Sequence, residues 1–336
     1  MTHPATKRIC IVGPGAVGLD LGAHLLNVAD TAVSFLGRDQ RVRALRAGGI
    51  NWRSSERTVH ISPEKFVAVS DSTELGPQDY VFITAKVDAI LSLAPDLVPL
   101  LQPDTVVVSA MNGIPPWYSY LQEKTIAKHL LSFETREQFF QSVPPKHILG
   151  MIVKRNVETE ALDSVRWNAG VGYTLGEPNH TLSPRLDATA NLLRDAGFAV
   201  TLSDNIHREI WHKLLVNVAV NPLSVITSLP IDEMLSDPSL QERVRLVVRQ
   251  THALGEKLGV VESGDFDVNA FIEQFRTARP GMRTSMYRDY IRGQPLEAGR
   301  IVDVILMLAA LPTIQADVWS VEELANELKK RVAARA

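Results

Sequence analysis

The chain has 336 residues, enough for two domains with sizeable cores, and 45% of them are hydrophobic. Its 35 basic and 38 acidic side chains give a formal net charge of −3, with no basic stripe that would favour nucleic acid as a partner. A single cysteine excludes an intrachain disulfide and a cysteine-based metal site. We therefore expect a partner that is a small molecule.

The N-terminal segment has some features of a signal peptide, because Lys7 and Arg8 precede an apolar stretch. Asp20 and His24 interrupt that stretch, and no later segment has the unbroken apolar length of a membrane span. We predict a cytoplasmic protein that does not associate with membranes. Cys10 lies inside the first apolar run, where we expect a buried thiol.

A glycine motif follows this first run. Residues 9–12 read as a strand and 19–26 as a helix, and between them lie Gly13, Pro14, Gly15, Ala16, Val17 and Gly18. Gly13 permits a tight turn, Gly15 lets the backbone approach a pyrophosphate, and Gly18 lets the helix pack closely on the strand. The motif in this context predicts a dinucleotide site, with the phosphates at the helix N-terminus. A glycine-rich turn without a ligand is the alternative.

The residues at the end of the second predicted strand, residues 32–36, indicate which dinucleotide binds. Arg38 follows that strand and could pair with the 2′-phosphate of NADP through its planar fork, so NADPH is favoured. Asp39 could instead accept the ribose hydroxyl of NAD. Arg41 and Arg43 add positive charge nearby, but a solvated helix face explains them better.

The rest of the first half alternates strand-like and helix-compatible segments. The strand-like runs are residues 66–69, 80–84, 105–109 and 147–153, and a helix-compatible stretch spans 90–101. Ser183 and Pro184 suit the start of a helix that runs to Ala196, with Gly197 after its end and a strand at 198–202. This alternation predicts an α/β, Rossmann-like N-terminal domain over residues 1–203, with a mostly parallel sheet.

Long helical periods with few strand signals replace this pattern over residues 204–336, which predicts an all-helical C-terminal domain. The candidate helices are 207–220, 239–258, 268–278, a stretch at 286–311 interrupted by a turn at Gly293 and Pro295, and 321–334. The last of these alternates charged and apolar groups, as a solvated amphipathic helix does.

Lys213, Asn217 and Asn221 are spaced four apart, so on a helix they project from one face. Reduction of a ketone by hydride builds negative charge on the carbonyl oxygen, which an ammonium can stabilise and then protonate. The two carboxamides could orient the substrate. A solvated lysine beside helix-bridging asparagines is the alternative, but behind a nucleotide-binding domain the functional interpretation is favoured.

Two histidines lie close to this face in sequence. His207 and His212 are five residues apart, which places them on different helical faces, so we expect neither a zinc pair nor a relay and assign no metal ligand. No set of serine, base and orienting acid suggests a hydrolase.

In their order and spacing, these motifs resemble those of the ketopantoate reductases, which are NADP-dependent reductases of 2-oxo acids. The resemblance extends over nearly the full length of the chain. The matching residues are Gly13 to Gly18, Arg38, Lys86, Asn112 with the three residues after it, the 211–222 segment, Ser285 with Met286, and Glu297. The resemblance implies a Rossmann-like domain and a helical domain, an active site in the cleft between them, and often a homodimer.

The resemblance also implies a role for each matching residue. Lys86 would lie near the adenosine end of the cofactor and Asn112 at the junction of nicotinamide and substrate. Lys213 would be the proton donor, and Glu297 would lie beside it and the nicotinamide ribose. Asn217, Asn221 and Ser285 would hold the substrate.

The chain departs from the family pattern at three places. Ile231 stands where the family pattern often has a substrate-contacting asparagine, and Met282 stands at the place of another asparagine ahead of Ser285. The segment from Glu297 to Pro312 is shorter than expected. We expect intact catalysis and an altered substrate preference. Our hypothesis is NADPH-dependent reduction of a 2-oxo acid, with 2-dehydropantoate (ketopantoate) the leading substrate. The alternatives are an opine- or imine-type reductase on a related scaffold and a non-catalytic NADPH-binding sensor.

Overall fold

The computed structural model describes residues 6–86, 89–119, 133–277 and 280–335. These residues form two compact units, an N-terminal unit that extends to Ile206 and a C-terminal unit that begins at His207. The domain division between 203 and 204 stays a prediction. Among the described residues, no helix has both the length and the apolar character that crossing a membrane requires.

The described part of the N-terminal unit is built on a ten-stranded sheet. In spatial order it reads β4-β3-β9-β8-β7-β6-β1-β2-β5, with β10 paired to β9. The strands are β1 Lys7–Val12, β2 Thr31–Leu36, β3 Ile50–Arg53, β4 Thr58–Ile61, β5 Val67–Val69, β6 Tyr80–Ile83, β7 Val106–Ser109, β8 Ile148–Ala161, β9 Ser164–Gly176 and β10 Ala199–Ser203. All pairs are parallel except β3/β4 and β8/β9. The predicted mostly parallel sheet is confirmed.

The β8–β9 hairpin is the largest difference from the sequence prediction, which ended the strand at residue 153 and contained no β9. Both strands continue as an antiparallel pair that turns at Leu162 and Asp163. Outside the sheet core this hairpin is only partly buried and rich in charged side chains, so it lacks the continuous apolar run of a buried strand. The short strands β3 and β4 were missed as well.

Among the residues that the structure describes, five α-helices accompany this sheet: α1 Ala16–Leu25, α2 Asp39–Gly48, α3 Ile90–Leu97, α4 Phe133–Ser142 and α5 Pro184–Asp195. Helix α5 begins as predicted, because the Ser183 hydroxyl caps it by accepting from the amide of Leu186 at 3.2 Å. Cys10 lies in the core, where desolvation raises the pKa of its thiol to about 12. The expected buried thiol is confirmed.

The described part of the C-terminal unit is helical, as predicted. Its helices are α6 Ile206–Thr227 (Ile206 itself belonging to the N-terminal unit), α7 Ile231–Met234, α8 Pro238–Lys257, α9 Val268–Arg276, α10 Ser285–Ile291, α11 Val304–Ala309 and α12 Trp319–Ala333. A π-helical turn, Gly299–Asp303, precedes α11, and the predicted break near Gly293 lies between α10 and that turn. The predicted last residue of α9, Ala278, lies outside the described residues.

Helix α6 is longer than predicted, since we expected it to end at Val220. It continues through Asn221 and Pro222 to Thr227. Proline removes one backbone hydrogen bond from a helix interior, but Leu223 and Val225 beyond it are buried. Burial of these side chains offsets the lost hydrogen bond and keeps the last turns helical.

Candidate functional site

The loop between β1 and α1 holds the glycine motif in the conformation that the sequence predicts. Gly13 has a φ of +76°, in the left-handed region, and its amide donates to the Leu36 carbonyl at 2.9 Å. A Cβ at Gly13 would lie 2.6 Å from the Cβ of Ala85, which follows β6. Both the turn and the close approach therefore require glycine here.

Gly18 allows α1 to approach the ends of two strands. A Cβ at this position would lie 2.5 Å from Oγ1 of Thr84 and 3.1 Å from Cγ2 of Ile11. The Thr84 hydroxyl in turn donates to the Gly13 carbonyl at 2.8 Å. The close packing of helix on strand that the motif predicts is confirmed.

Gly15 differs from Gly13 and Gly18, because a Cβ at Gly15 would contact only the Gly13 carbonyl oxygen, at 3.9 Å. The space beside it is open. No side chain caps α1, so the amides of its first turn, which have no acceptor within the helix, are available to an anion. An open glycine beside free amides and a positive helix end is a suitable cradle for the pyrophosphate of a dinucleotide.

The other candidate cofactor residues follow neighbouring parallel strands. Arg38 follows β2 after Gly37, Lys86 follows β6 and Asn112 follows β7, and these strands lie in the sheet order β7-β6-β1-β2. Their carboxyl ends meet at one edge of the sheet, where open α/β sheets bind ligands. Arg38 and Lys86 are exposed, whereas Asn112 is partly buried ahead of Gly113, which has a φ of +75°.

The arginines of α2 have separate roles. Arg38 is the N-cap residue, and its exposed side chain forms no ion pair with the described residues. Arg41 is half-buried and donates to the carbonyls of Ala161, at 3.2 Å, and Leu162 in the β8–β9 turn. The solvated helix face that we expected is therefore wrong for Arg41, which anchors the hairpin, while Arg43 is exposed.

In the C-terminal unit, α6 carries a polar stripe along one face. Lys213 and Asn217 are partly buried, and Asn221 is 7% exposed. The stripe continues to Ser224, which the sequence analysis did not single out and which is fully buried. Such a run of polar groups inside an apolar helix needs partners.

One of those partners lies at the start of α10. The hydroxyls of Ser224 and Thr284 are 2.6 Å apart, and Thr284 caps α10 by accepting from the amide of Tyr287 at 3.1 Å. Ser285, the first residue of α10, is exposed and adjacent to this contact. The structure thus brings Ser285 to the Asn221 end of the stripe.

Glu297 lies immediately before the π-helical turn and is partly buried. Its carbonyl accepts from the amide of Arg300 at 3.2 Å. Because π-helical turns occur frequently at functional sites, this turn agrees with the role that the resemblance implies for Glu297.

The two apolar departures, Ile231 and Met282, are neighbours in the fold. The amide of Ile231 donates to the carbonyl of Met282 at 2.8 Å, and the Ile231 side chain is buried. The same segment is held by Arg283, whose guanidinium donates to the Ser228 carbonyl at 2.8 Å. The two departures therefore form one local feature near the end of α6.

Two family profiles match the chain. Ketopantoate reductase PanE/ApbA covers residues 9–180, and the C-terminal profile of the same family covers residues 205–321. The chain belongs to the ketopantoate reductase family. It is therefore a nicotinamide-dependent oxidoreductase of the type that reduces an oxo acid.

Individual members of the ketopantoate reductase family agree with this chain in length and fold. The 2-dehydropantoate 2-reductase of Mesorhizobium japonicum is 29% identical over 330 residues, 95% of this chain and 98% of the relative. A crystal structure from Ralstonia solanacearum assigned to the ketopantoate reductases has 30% identity and a TM-score of 0.87, covering 98% of this chain and 99% of that one.

A second similar structure is that of a dehydrogenase with a different name. The complex of D-mandelate dehydrogenase with NADH and anilino(oxo)acetate superposes with a TM-score of 0.79 at 19% identity, over 98% of this chain and 99% of that one. At this identity the likeness concerns the fold.

Proposed function

We propose that the protein catalyses the NADPH-dependent reduction of a 2-oxo acid to a 2-hydroxy acid, with 2-dehydropantoate as the leading substrate. The observation that carries this proposal is the stripe of Lys213, Asn217 and Asn221 on α6. It presents an ammonium and two carboxamides along one face of α6, in a family whose members include the 2-dehydropantoate 2-reductases of Mesorhizobium japonicum and Archaeoglobus fulgidus.

The N-terminal unit supplies the nucleotide site in this proposal. Gly13 to Gly18 would bind the pyrophosphate through the amides at the start of α1. Lys86 and Asn112, at the ends of β6 and β7, would contact the adenosine end and the nicotinamide end respectively. When bound, NADPH supplies the hydride.

Arg38 is the residue on which the choice of NADPH rests. It is exposed at the end of β2, where the 2′ substituent of the ribose lies in this type of fold. A guanidinium can pair bidentately with a 2′-phosphate, and the ion pair that would compete for it is absent among the described residues. Asp39, also exposed, is the competing residue for NADH.

Lys213 would act as the proton donor. Hydride addition makes the carbonyl oxygen of the substrate an alkoxide, and the ammonium stabilises that charge before it transfers its proton. Asn217, Asn221 and Ser285 would hold the substrate by hydrogen bonds, and Glu297 would orient Lys213. Its place on the partly buried face of α6 agrees with this role.

The deciding experiment is an NADPH oxidation assay with the full chain and a panel of 2-oxo acids. We expect turnover with 2-oxo acids alone and the formation of the 2-hydroxy acid. Turnover that requires an added amine would establish the imine-type reductase. Tight NADPH binding without turnover on any member of the panel would establish the sensor.

A further inference from the structure

Three potential metal ligands from separate parts of the C-terminal unit converge on one point. His212 lies on α6, His252 on α8, and Asp265 in the segment before α9. Oδ1 of Asp265 is 2.7 Å from Nε2 of His252 and 3.1 Å from Nε2 of His212. One ligand atom from each residue lies within 4.8 Å of the other two.

His212 and His252 both have Nε2 close to one carboxylate oxygen. Nε2 of His212 is buried and lies 3.1 Å from Oδ1 of Asp265, the same oxygen that Nε2 of His252 contacts at 2.7 Å. In a tetrahedral metal site the lone pairs point at the ion rather than at one another, and bonds of about 2.05 Å place neighbouring ligand atoms about 3.3 Å apart.

Contacts on the outside of the cluster leave Nε2 of His252 and Oδ1 of Asp265 directed at its centre. Nδ1 of His252 lies 3.2 Å from Oε1 of Glu256, one turn along α8, so Nε2 is the nitrogen directed at the cluster. Oδ2 of Asp265 accepts from the amide of Glu262 at 3.2 Å, which leaves Oδ1 between the two imidazoles. A carboxylate behind a ligating histidine is the usual outer shell of a metal site, where it fixes the tautomer and orients the ring.

We propose that His212, His252 and Asp265 form a binding site for a divalent transition-metal ion of the zinc type. Two imidazole nitrogens and one carboxylate oxygen are donors that suit such ions, and water completes the coordination. The side chains of all three residues are less than one-fifth exposed. The ring of Phe266 packs against that of His212, with the ring centroids 5.4 Å apart.

The consequence for the fold is a cross-link between helices. His212 directly precedes Lys213 on α6, and the ion would join this turn of α6 to α8 and to the segment before α9. From sequence we assigned no metal ligand, because His207 was the histidine closest to His212 along the chain. His252 and Asp265 are 40 and 53 residues further along the chain.

The test uses the full chain after removal of metals with a chelator. Cobalt(II) is added as a spectroscopic probe, followed by zinc as a competitor. We expect the visible absorption of cobalt bound to nitrogen and oxygen donors, at saturation one ion per chain, displaced by zinc, and a higher thermal midpoint with zinc than without. An absence of cobalt absorption in the unmutated protein overturns the proposal.

Variants assign the ligands. Asp265→Asn and His252→Gln should abolish the cobalt signal, and Glu256→Gln should weaken zinc affinity by about 10- to 100-fold, as loss of an outer-shell partner does. His60→Gln, at an exposed histidine of β4, is the matched control and should bind as the unmutated chain does. Circular dichroism verifies that each variant is folded. Folded Asp265→Asn and His252→Gln variants that retain full affinity would show that the ion binds elsewhere.

Discussion

Asp20 and Arg155 form a two-point ion pair inside the N-terminal unit. Nε of Arg155 lies 2.6 Å from Oδ2 of Asp20 and its second terminal nitrogen 2.9 Å from Oδ1, with side-chain exposures of 6% and 1%. The indole of Trp52 donates to the same carboxylate at 2.8 Å. The pair joins α1, directly behind the glycine loop, to β8.

We expect Asp20→Asn to lower the free energy of unfolding by about 3–5 kcal/mol, because it leaves the Arg155 guanidinium buried without its counter-charge. Urea unfolding of the isolated protein measures the change. Glu160→Gln is the control, since Glu160 and Arg166 form a more exposed pair on the same hairpin, worth about 1 kcal/mol or less. Equal losses for the two variants would contradict the importance of burial.

Alanine at Gly15 and at Gly18 should have different effects. At Gly18 the new methyl meets Thr84, whose hydroxyl is held by hydrogen bonds to the carbonyls of Gly13 and Val12, so we expect a loss of about 1–3 kcal/mol in stability. At Gly15 the space is open, and stability should change by less than about 1 kcal/mol. NADPH affinity should fall in both variants. Normal NADPH affinity in Gly15→Ala would argue against a pyrophosphate at this loop.

Arg38→Ala should reduce the preference for NADPH over NADH by roughly ten- to a hundredfold, the equivalent of one charge-assisted interaction. The ratio of kcat/KM for the two cofactors measures it. Arg43→Ala removes an exposed charge from the same helix and should leave the ratio nearly unchanged. If the unmutated protein uses both cofactors equally well, Arg38 does not bind a 2′-phosphate.

Lys213→Ala should lower kcat by roughly 10² or more while NADPH affinity stays nearly constant, because the ammonium acts on the developing alkoxide rather than on the nucleotide. Steady-state kinetics and direct NADPH titration measure the two quantities. Lys330→Ala, at an exposed lysine of α12, is the control for loss of positive charge. Near-normal turnover in Lys213→Ala, with hydride transfer still limiting, would identify another group as the acid.

Because Ile231 and Met282 are apolar, we expect the enzyme to discriminate weakly between substrates with and without the hydroxyl group. A site built to hydrogen-bond a hydroxyl strongly rejects analogues that lack it, whereas an apolar site discriminates little. We therefore expect 2-dehydropantoate and its deoxy analogue to have similar kcat/KM. A ratio of 10³ or more in favour of 2-dehydropantoate would reveal a dedicated polar partner for the hydroxyl.

Local features of the chain were predictable from sequence, and distant contacts were not. The turn at Gly13 and the close packing at Gly18 depend on residues within one strand-turn-helix unit, where the backbone demands glycine. The hydrogen bond between Ser224 and Thr284 joins residues 60 apart, and no periodic pattern encodes such a pair. The continuation of α6 through Pro222 depended on tertiary burial, which outweighs the local preference of proline.

The exposed position of Arg38 has an evolutionary consequence. Because the side chain has no ion pair among the described residues and its backbone merely caps α2, exchanging it costs the fold almost nothing. Gly13 and Gly18 have no such freedom, since every replacement collides with Ala85 or Thr84. If Arg38 binds the 2′-phosphate as we propose, a single substitution there would exchange one nicotinamide cofactor for the other, while the glycine loop stays unchanged.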